Sequence, residues 1–336
     1  MRAPGFWWTT PPCAIAWLLA PLGWLYGAIT LRRMRRRGAG ATIPVICVGN
    51  FVAGGAGKTP TVLALTTLLA RRGESPFVLT RGYGGRLAGP IAVDPERHAA
   101  ADVGDEALMS SAQVATIVAQ DRPAGAVLAA SLGASVAVMD DGLQNPSLRK
   151  QLRLAVVDGA TGAGNGLCVP AGPLRAPLAG QLAETDAVII IGPGEPGERV
   201  ARQAQAAGAP VLRASLEIAP AAAAALAGGS VLAVAGIGRP EKFAEALREA
   251  GAVVAGLRAY GDHHAYTRAD VAAILADARA AGGVIATTAK DITKLGPLWP
   301  EAERHRLVVV PVTLVFAETG AIDALIDRVL AESRRR

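Results

Sequence analysis

The segment Gly49–Pro60, GNFVAGGAGKTP, constrains the fold more than any other stretch of this 336-residue chain. It follows an apolar run, Ile43–Val48, whose β-branched residues predict a buried strand. It precedes Thr61–Ala70, whose leucine spacing predicts a helix. A strand, a glycine-rich turn, Gly-Lys-Thr and a helix are together typical of a loop that wraps a triphosphate. The sequence therefore predicts a nucleotide-binding α/β domain, and the alternative is a glycine-rich turn with an incidental lysine.

Each residue type in this loop suits one part of a triphosphate. Small residues let backbone N–H groups turn inward, and the helix N-terminus adds partial positive charge. Lys58 has the length to reach the β- and γ-phosphates, and the Thr59 hydroxyl can bind Mg²⁺. Val52 departs from the strict GxxxxGK[ST] pattern, which has a glycine at that position. The predicted nucleotide-binding residues are Gly54, Gly55, Ala56, Gly57, Lys58 and Thr59.

Length and composition place this loop in a larger α/β protein. The chain is long enough for two domains with cores, and alternating strand and helix patterns favour the α/β class. The alanine-rich stretch Pro220–Gly229 is a candidate linker or domain seam. The three cysteines show no paired spacing, which suits reduced thiols in a protein that faces the cytoplasm. The predicted divisions are an N-terminal segment, 1–37, a nucleotide-binding domain, 38–220, and a smaller C-terminal α/β domain, 221–336.

The N-terminal segment combines an apolar stretch with a basic cluster. Cys13–Thr30 is apolar enough to enter a bilayer, and five arginines follow between positions 32 and 37. Arginines in that place attract anionic headgroups and are expected to keep the rest of the chain cytoplasmic. A cleaved signal peptide carries its positive charges before the apolar run, so their position after it here disfavours one. Pro21 and Gly23 are expected to interrupt the helix, which favours a helix in the inner leaflet over a straight span. A helix packed on the protein itself is the third possibility.

Two carboxylates follow a predicted strand, Ser135–Met139. Asp140 and Asp141 stand where a phosphate-loop enzyme needs carboxylates to hold Mg²⁺, directly or through water. Two aspartates at a strand end are also a common turn. Because a phosphate loop lies upstream, we predict a metal role for Asp140 and Asp141 together with Thr59.

A candidate for proton transfer lies between the two halves of the chain. Gly104, Asp105 and Glu106 open a predicted helix that runs through Ala119, and a helix start favours ionised carboxylates. His263 is far away in sequence, and a carboxylate–histidine pair across a cleft can take a proton from an alcohol. The ordinary alternatives are that the two carboxylates only complement the helix dipole and that the histidine has only a structural role.

Two further segments carry polar residues whose role the sequence leaves open. The segment from Asn165 to Arg175 is a rigid, non-helical loop that ends on a cation, so it is either a substrate loop or a connection. Lys290 follows an apolar run and either meets a phosphate or lies in a solvated turn.

A series of short motifs, taken in chain order, resembles the tetraacyldisaccharide 4'-kinases of lipid A biosynthesis. The motifs extend over nearly the whole chain: FWW…LLAPLGWLYG, VGNFVAGGAGKTP, TRGYGG, VGDE, DDGLQN, NG…PAGPLR, AGIGRPEKF, DHHAYT and TTAKD. Beyond the phosphate loop no single motif is convincing, but their joint order is highly specific. The resemblance implies two α/β/α sandwich domains with a P-loop NTPase-like core, nucleotide in the cleft, and a membrane-associated N-terminal helix.

The resemblance also implies an activity, which is transfer of the ATP γ-phosphate, with Mg²⁺, to the 4'-hydroxyl of tetraacyldisaccharide 1-phosphate to form lipid IVA. It implies that Asp105 is the catalytic base, that His263 pairs with it and that Lys58 holds the phosphates. We expect a monomer at the cytoplasmic face of the inner membrane, with that lipid as partner and no nucleic acid. The substrate-side positions that it implies are Arg81, Tyr83, Gln144 and Asn165.

Three residues depart from the family pattern. Asn145 replaces a histidine, Ala176 an acidic residue and Ala289 a glutamate. The phosphate loop and Asp105 are intact, so we expect an active enzyme. The chief alternative is a membrane-bound P-loop switch or partitioning ATPase, but such proteins carry KGGxGK[ST], and Ala53 stands at the signature-lysine position. A scaffold that binds nucleotide only structurally is a further possibility.

Overall fold

The computed structural model describes residues 3–335, so the first two residues of the predicted segment 1–37 and the last residue of 221–336 lie outside it. Within the described range the strands form two sheets, one of nine strands and one of four. Helices cover both sheets, which confirms the predicted α/β class.

The strands and helices have the following bounds. The strands are β1 (Val45–Asn50), β2 (Pro76–Thr80), β3 (Ile91–Ala92), β4 (Thr116–Val118), β5 (Val136–Asp140), β6 (Leu152–Asp158), β7 (Ala187–Ile191), β8 (Val211–Ile218), β9 (Ser230–Ala235), β10 (Val253–Ala259), β11 (Val284–Thr288), β12 (Leu307–Val310) and β13 (Val312–Phe316). The helices are α1 (Ala14–Met34), α2 (Lys58–Ala70), α3 (Ala100–Val103), α4 (Asp105–Ser111), α5 (Arg122–Ser131), α6 (Leu178–Ala183), α7 (Glu195–Ala206), α8 (Pro220–Leu226), α9 (Pro240–Glu249), α10 (Arg268–Ala281), α11 (Ile292–Leu295) and α12 (Thr319–Arg334).

The large sheet has the order β13-β8-β7-β6-β1-β5-β2-β4-β3 in the described residues. Strand β1 lies between β5 and β6 and pairs in parallel with both. After β1 the chain builds one side of the sheet through β2, β4 and β5, and then crosses to β6 on the other side. The carboxyl end of β1 is therefore a topological switch point, where open α/β sheets bind their ligands.

Residues of β1 alternate between two cores. Ile46 and Val48 pack with α2 and α12, whereas Val45 and Cys47 face the core that includes α5. Every residue of β1 is buried, as expected for a parallel strand covered by helices on both faces. The large sheet is thus the middle layer of an α/β/α sandwich.

The small sheet has the order β10-β9-β11-β12 and is parallel throughout. Phe243 and Leu247 of α9 pack on one face of it, and Ile274 and Leu275 of α10 pack on the other. This second α/β/α unit agrees with the predicted smaller domain in class.

The extent of that smaller domain needs a correction. Strand β13 pairs antiparallel with β8 of the large sheet, with Val312 opposite Ile218, and α12 buries Ile322 and Ile326 in the core of the large sheet. The predicted unit 221–336 is therefore too long at its C-terminal end, because the last strand and helix return to the first domain. The division at residue 220 remains a prediction, and the predicted seam there contains helix α8.

Most predicted strands agree with the structure, but one predicted helix was wrong. Strand β1 lies two residues, and β5 one residue, from the bounds predicted as Ile43–Val48 and Ser135–Met139. The helix expected from Gly104 through Ala119 ends at Ser111, and β4 follows it. The β-branched run Thr116–Val118 pairs with β2, so a tertiary contact decides the conformation there.

Helix α1 runs through Pro21 without the expected interruption and is the one helix in the described residues long and apolar enough to cross a membrane. It packs on the protein by small buried residues and exposes its large apolar ones. A Cβ on Gly27 would lie 2.7 Å from Cys168 Sγ, so this face allows close approach. The outward side chains, each more than half exposed, are Ile15, Trp17, Leu18, Leu22, Trp24, Leu25 and Ile29.

Candidate active site at the domain cleft

The phosphate loop follows the carboxyl end of β1. Gly54 and Gly57 have φ of 127° and 86°, and these left-handed conformations favour glycine. Asn50 Nδ2 donates to the Gly54 carbonyl at 2.9 Å and so fixes the turn. A Cβ added to Gly54 or Gly55 would meet open space, and one on Gly57 would lie 2.6 Å from Ile191 Cδ1. The first two glycines therefore leave room for a ligand, whereas Gly57 is required by packing and by its φ.

Lys58 and Thr59 begin helix α2 beside this turn. Lys58 Nζ folds back over the loop and lies 3.5 Å from the Gly54 carbonyl oxygen and 3.8 Å from Asp141 Oδ1. Thr59 is buried next to it. The lysine thus crosses the mouth of the loop, where the outer phosphates of a nucleotide would lie.

Asp140, at the end of β5, carries an unpartnered buried oxygen. Its Oδ1 has no hydrogen-bond partner in the described residues. Burial and the nearby charge of Glu106 raise the pKa of Asp140 to about 7. Mg²⁺ usually takes one or two carboxylates, phosphate oxygens and water. Asp140 and Thr59 fit such an ion.

Asp141 is already held by the protein. Arg175 Nη1 and Nη2 donate to its two carboxylate oxygens at 2.8 and 3.2 Å. Burial by itself raises the pKa of Asp141, but Lys58 and Arg175 outweigh burial and lower that pKa below its ordinary value. Of the two aspartates predicted as metal ligands, Asp140 therefore has the free oxygen and Asp141 is engaged with Arg175.

Arg175 and Gln144 support the phosphate loop through hydrogen bonds to its backbone. Arg175 Nε donates to the Val52 carbonyl at 3.1 Å, and Arg175 Nη1 lies 3.2 Å from Gln144 Oε1. Gln144 Nε2 donates to the Asn50 carbonyl at 2.8 Å. The structure thus engages Gln144 in loop support, and its predicted contact with substrate stays a prediction.

Asp105, the first residue of α4, meets the small domain at the cleft. His263 Nδ1 lies 3.0 Å from both of its carboxylate oxygens, and Lys294 Nζ lies 2.9 Å from Oδ2. Burial raises the pKa of Asp105, but the hydrogen bond from His263 and the charges of Lys290 and Lys294 outweigh burial and hold that pKa well below its usual range. Asp105 is therefore ionised at neutral pH.

His263 is held in one tautomer. Its φ is 59°, and Lys290 Nζ lies 3.3 Å from its Nε2. Because a charged lysine can only donate, Nε2 accepts and Nδ1 carries the proton that is given to Asp105; this assignment follows from the partners. Lys290 also contacts Glu106 Oε1 at 3.2 Å and Asp262 Oδ1 at 2.9 Å. Burial lowers the pKa of Lys290, but these carboxylates and Asp105 raise it above its ordinary value, so Lys290 stays charged.

The remaining predicted substrate residues lie in different surroundings. Tyr83 is 68% exposed, and its ring centroid lies 5.1 Å from that of His263. Arg81 is exposed on the same turn. The Asn165 side chain is buried and donates to the carbonyls of Phe6 and Ala171, so it joins its loop to the N-terminal segment. The structure brings Tyr83 to the cleft and engages Asn165 in structural bonds.

Sequence reasoning missed two cations at this site. Arg122 is buried and donates to the Asp140 backbone carbonyl at 3.2 Å. Lys294 pairs with Asp105 as described above. The available signal for Lys294 was its spacing of four residues from Lys290, which would put both lysines on one face of a helix that contained them; α11 itself begins after Lys290, at Ile292.

The nucleotide loop at the switch point of a doubly wound sheet makes this chain a two-domain protein of the P-loop class. A family model described as Tetraacyldisaccharide-1-P 4'-kinase matches residues 15–331. The chain therefore belongs to the tetraacyldisaccharide 4'-kinase family, as the motif order indicated.

Individual relatives and one solved structure agree with this placement. A tetraacyldisaccharide 4'-kinase from Methylobacterium nodulans is 57% identical over 96% of this chain and 94% of its own length. One from Bradyrhizobium sp. strain BTAi1 is 52% identical, over 100% of this chain and 97% of its own length. The crystal structure of the "apo" form of LpxK from Aquifex aeolicus in complex with ATP has a TM-score of 0.72 and 22% identity, covering 94% of this chain and 99% of that one. This last likeness shows the shared fold.

Proposed function

We propose that the chain transfers the γ-phosphate of ATP to the 4'-hydroxyl of tetraacyldisaccharide 1-phosphate and so forms lipid IVA. The names of the relatives and the ATP bound to the Aquifex aeolicus structure support this substrate pair. The observation that carries the proposal is Asp105, ionised and bonded to His263, on the same cleft as the phosphate loop. Glu106, its neighbour, lies close enough to influence the pKa of Asp140.

On the phosphate side the protein supplies position and positive charge. The inward N–H groups of the loop and Lys58 bind the γ-phosphoryl group and absorb the negative charge that develops on it. Arg175 holds Asp141, and Asp141 lies 3.8 Å from Lys58 Nζ and so helps to position that lysine. Asp140 and Thr59 would hold Mg²⁺, which neutralises phosphate charge when bound.

On the acceptor side Asp105 receives the proton of the sugar hydroxyl. His263 keeps donating through Nδ1 and so fixes the carboxylate, while Lys290 fixes His263 through Nε2. The acceptor hydroxyl competes with Lys294 for Oδ2, because that oxygen already accepts from the lysine. A strongly ionised Asp105 is a weak base, so its main work is to orient the hydroxyl, and the proton follows as the new bond to phosphorus forms.

Transfer of label from γ-radiolabelled ATP to the disaccharide lipid, followed by extraction of the lipid, tests the proposed reaction. We expect label in the extracted lipid. Release of labelled phosphate to water without labelled lipid would instead identify a switch or partitioning ATPase. If neither labelled lipid nor labelled phosphate formed, the chain would be a scaffold that binds nucleotide only structurally.

We also propose that α1 places the enzyme at the cytoplasmic face of the inner membrane as a monomer. The exposed large apolar side chains of the helix and the arginines at its end support this orientation. A substrate with four acyl chains stays in the bilayer, so its sugar is accessible only near the headgroups. Deletion of residues 1–37 should reduce both vesicle binding and activity on lipid. Equal flotation of the truncated and full chains with vesicles would contradict this role.

A further inference from the structure

A basic cavity lies at the end of α1, separate from the phosphate loop. Its volume is about 410 Å³, and its walls come from two segments, 34–38 and 146–153, with Glu184 behind them. Six cationic side chains line it against the one carboxylate of Glu184: Arg35, Arg36, Arg37, Arg149, Lys150 and Arg153. This excess of positive charge favours an anion over a cation or a neutral molecule in the cavity.

Backbone bonds hold the two walls together. Ala39 N donates to the Ser147 carbonyl at 2.8 Å, and Arg149 N donates to the Ala39 carbonyl at 2.8 Å. A Cβ on Gly38 would lie 2.5 Å from the Leu148 carbonyl carbon, so the walls touch at that glycine. The cavity is therefore a fixed part of the fold, although its walls lie more than a hundred residues apart in sequence.

Lys150 donates to the backbone carbonyls of Leu143 and Asn145, and the other five cations of the cavity fall into two groups. At the back, Arg153 binds Glu184 at 3.0 Å and Asp186 at 3.2 Å, and Arg35 lies 3.6 Å from Glu184. Arg36, Arg37 and Arg149 are exposed and form no ion pair within residues 3–335. The back group is neutralised by the protein, and the front group keeps its donors for a ligand.

We propose that this cavity binds the phosphate of an anionic phospholipid headgroup. Guanidinium groups suit phosphate because they donate in a planar fork. The helix that leads into the cavity exposes a large apolar face, and only a bilayer presents apolar chains and phosphates side by side. The same features disfavour nucleic acid, which offers the phosphates without the apolar phase. The proposal rests on the membrane placement above, but not on the kinase reaction.

The test is flotation of the full chain with phosphatidylcholine vesicles, with and without about 20 mol% phosphatidylglycerol. The double variant Arg36→Gln/Arg149→Gln removes one free arginine from each wall. We expect it to lose roughly tenfold or more of the binding gained from phosphatidylglycerol, since each basic residue near an anionic surface contributes about fivefold. Binding to pure phosphatidylcholine should be unchanged, because the helix is intact.

The matched control is Arg32→Gln/Arg33→Gln, which removes the same charge from the last turn of α1 without touching the cavity. Equal losses in the two double variants would overturn the proposal, because diffuse charge would then explain the binding. Kinase activity in neutral detergent micelles should be the same for Arg36→Gln/Arg149→Gln and wild type. This readout separates failure of the headgroup site from failure of the proposed reaction.

A soluble probe distinguishes the sources of phosphate. Dihexanoyl phosphatidylglycerol, kept below its micelle concentration, should show a saturable ³¹P shift with wild type and none with Arg36→Gln/Arg149→Gln. Inorganic phosphate that binds as tightly as this lipid would overturn the headgroup assignment and leave a free-anion site. Tighter binding of a short RNA than of the lipid, lost in the same variant, would overturn it in favour of nucleic acid.

Discussion

Lys58 and Asp105 act on opposite partners in the proposed transfer, so substitutions of the two should differ in kind. Asp105→Ala should lower kcat about 10²–10⁴-fold and leave ATP affinity largely unchanged, because it touches only the acceptor. Lys58→Ala should lose more turnover and also ATP affinity, because its charge serves the phosphates. Initial rates and calorimetric titration with ATP measure both effects. Normal turnover by Asp105→Ala would remove this residue from the mechanism.

Asp140 should make both stability and metal binding depend on pH. Its pKa is raised to about 7, whereas a free aspartate titrates near pH 4, so folding favours the protonated carboxyl between these values. Without Mg²⁺ the folded state therefore loses stability as pH rises through that window. Asp140→Asn should raise Tm relative to wild type at about pH 8, by less at about pH 5, and not at all below about pH 4.

The same ionisation governs Mg²⁺. Because the ligand must be deprotonated, the half-saturating Mg²⁺ concentration of wild type should fall about tenfold per pH unit up to about pH 7 and then level off. Thermal scans and metal titrations across pH measure the two effects. A Tm difference independent of pH would show that Asp140 is ionised throughout.

Part of this site could be predicted from the sequence alone, and the reasons are physical. Lys58, Thr59 and Asp140 follow strands of one parallel sheet, and carboxyl ends of parallel strands meet at one edge, so local patterns predict their proximity. Contact between Asp105 and His263 depends on how two domains face each other. The residues offered this pair as one alternative among others, and the family resemblance favoured it. Lys294 was missed because a lysine on a four-residue helix has the pattern of a solvated one.

The two sides of helix α1 have opposite roles, because one packs closely on the protein and the other exposes large apolar side chains. Gly27→Val should destabilise the protein by about 1–3 kcal/mol, because a Cβ there would lie 2.7 Å from Cys168 Sγ and 3.0 Å from Pro177 Cδ. Leu22→Ala, on the exposed side, should leave Tm unchanged in neutral detergent and weaken vesicle binding. A large Tm loss for Leu22→Ala would mean that the outward face is packed.

The prediction of helices and strands succeeded where local composition determines the conformation, and it failed where pairing with a distant strand determines it. Strand β5 is an apolar run, and its bounds lie one residue from the predicted Ser135–Met139. Strand β4 is only three residues long and begins at Thr116, soon after α4 ends at Ser111, so its pairing with β2 could not be predicted from the local pattern. The return of β13 to the large sheet depends on a contact across about a hundred residues, which no local pattern encodes.

At the scale of the whole molecule, a second group of ion pairs joins the domains. Asp158 at the end of β6 accepts from Lys242 at 2.6 Å and Arg239 at 3.2 Å, both from the small domain. Lys242→Met should weaken closure by about 1 kcal/mol, since the pair is partly exposed, and so increase the open population about fivefold. Arg248→Met, on the same helix and exposed, is the matched control.

Hydrogen exchange at residues 220–229 and small-angle scattering measure this opening. We expect faster exchange and a larger radius of gyration for Lys242→Met than for Arg248→Met, with the difference shrinking at high salt because screening weakens the pair in wild type. Identical behaviour of the two variants would show that Asp158 and Arg239 suffice to hold the cleft.

The pairing of Val312 opposite Ile218 means that the chain leaves the large sheet and re-enters it at the same place. Residues 219–311 are thus inserted between two strands that would otherwise form an ordinary hairpin. A two-residue turn joining Ile218 to Val312 would restore that hairpin and excise the insertion. The nucleotide half of the enzyme would then exist without His263, Lys290 or Lys294, so that its binding of ATP becomes measurable apart from the residues that face the acceptor.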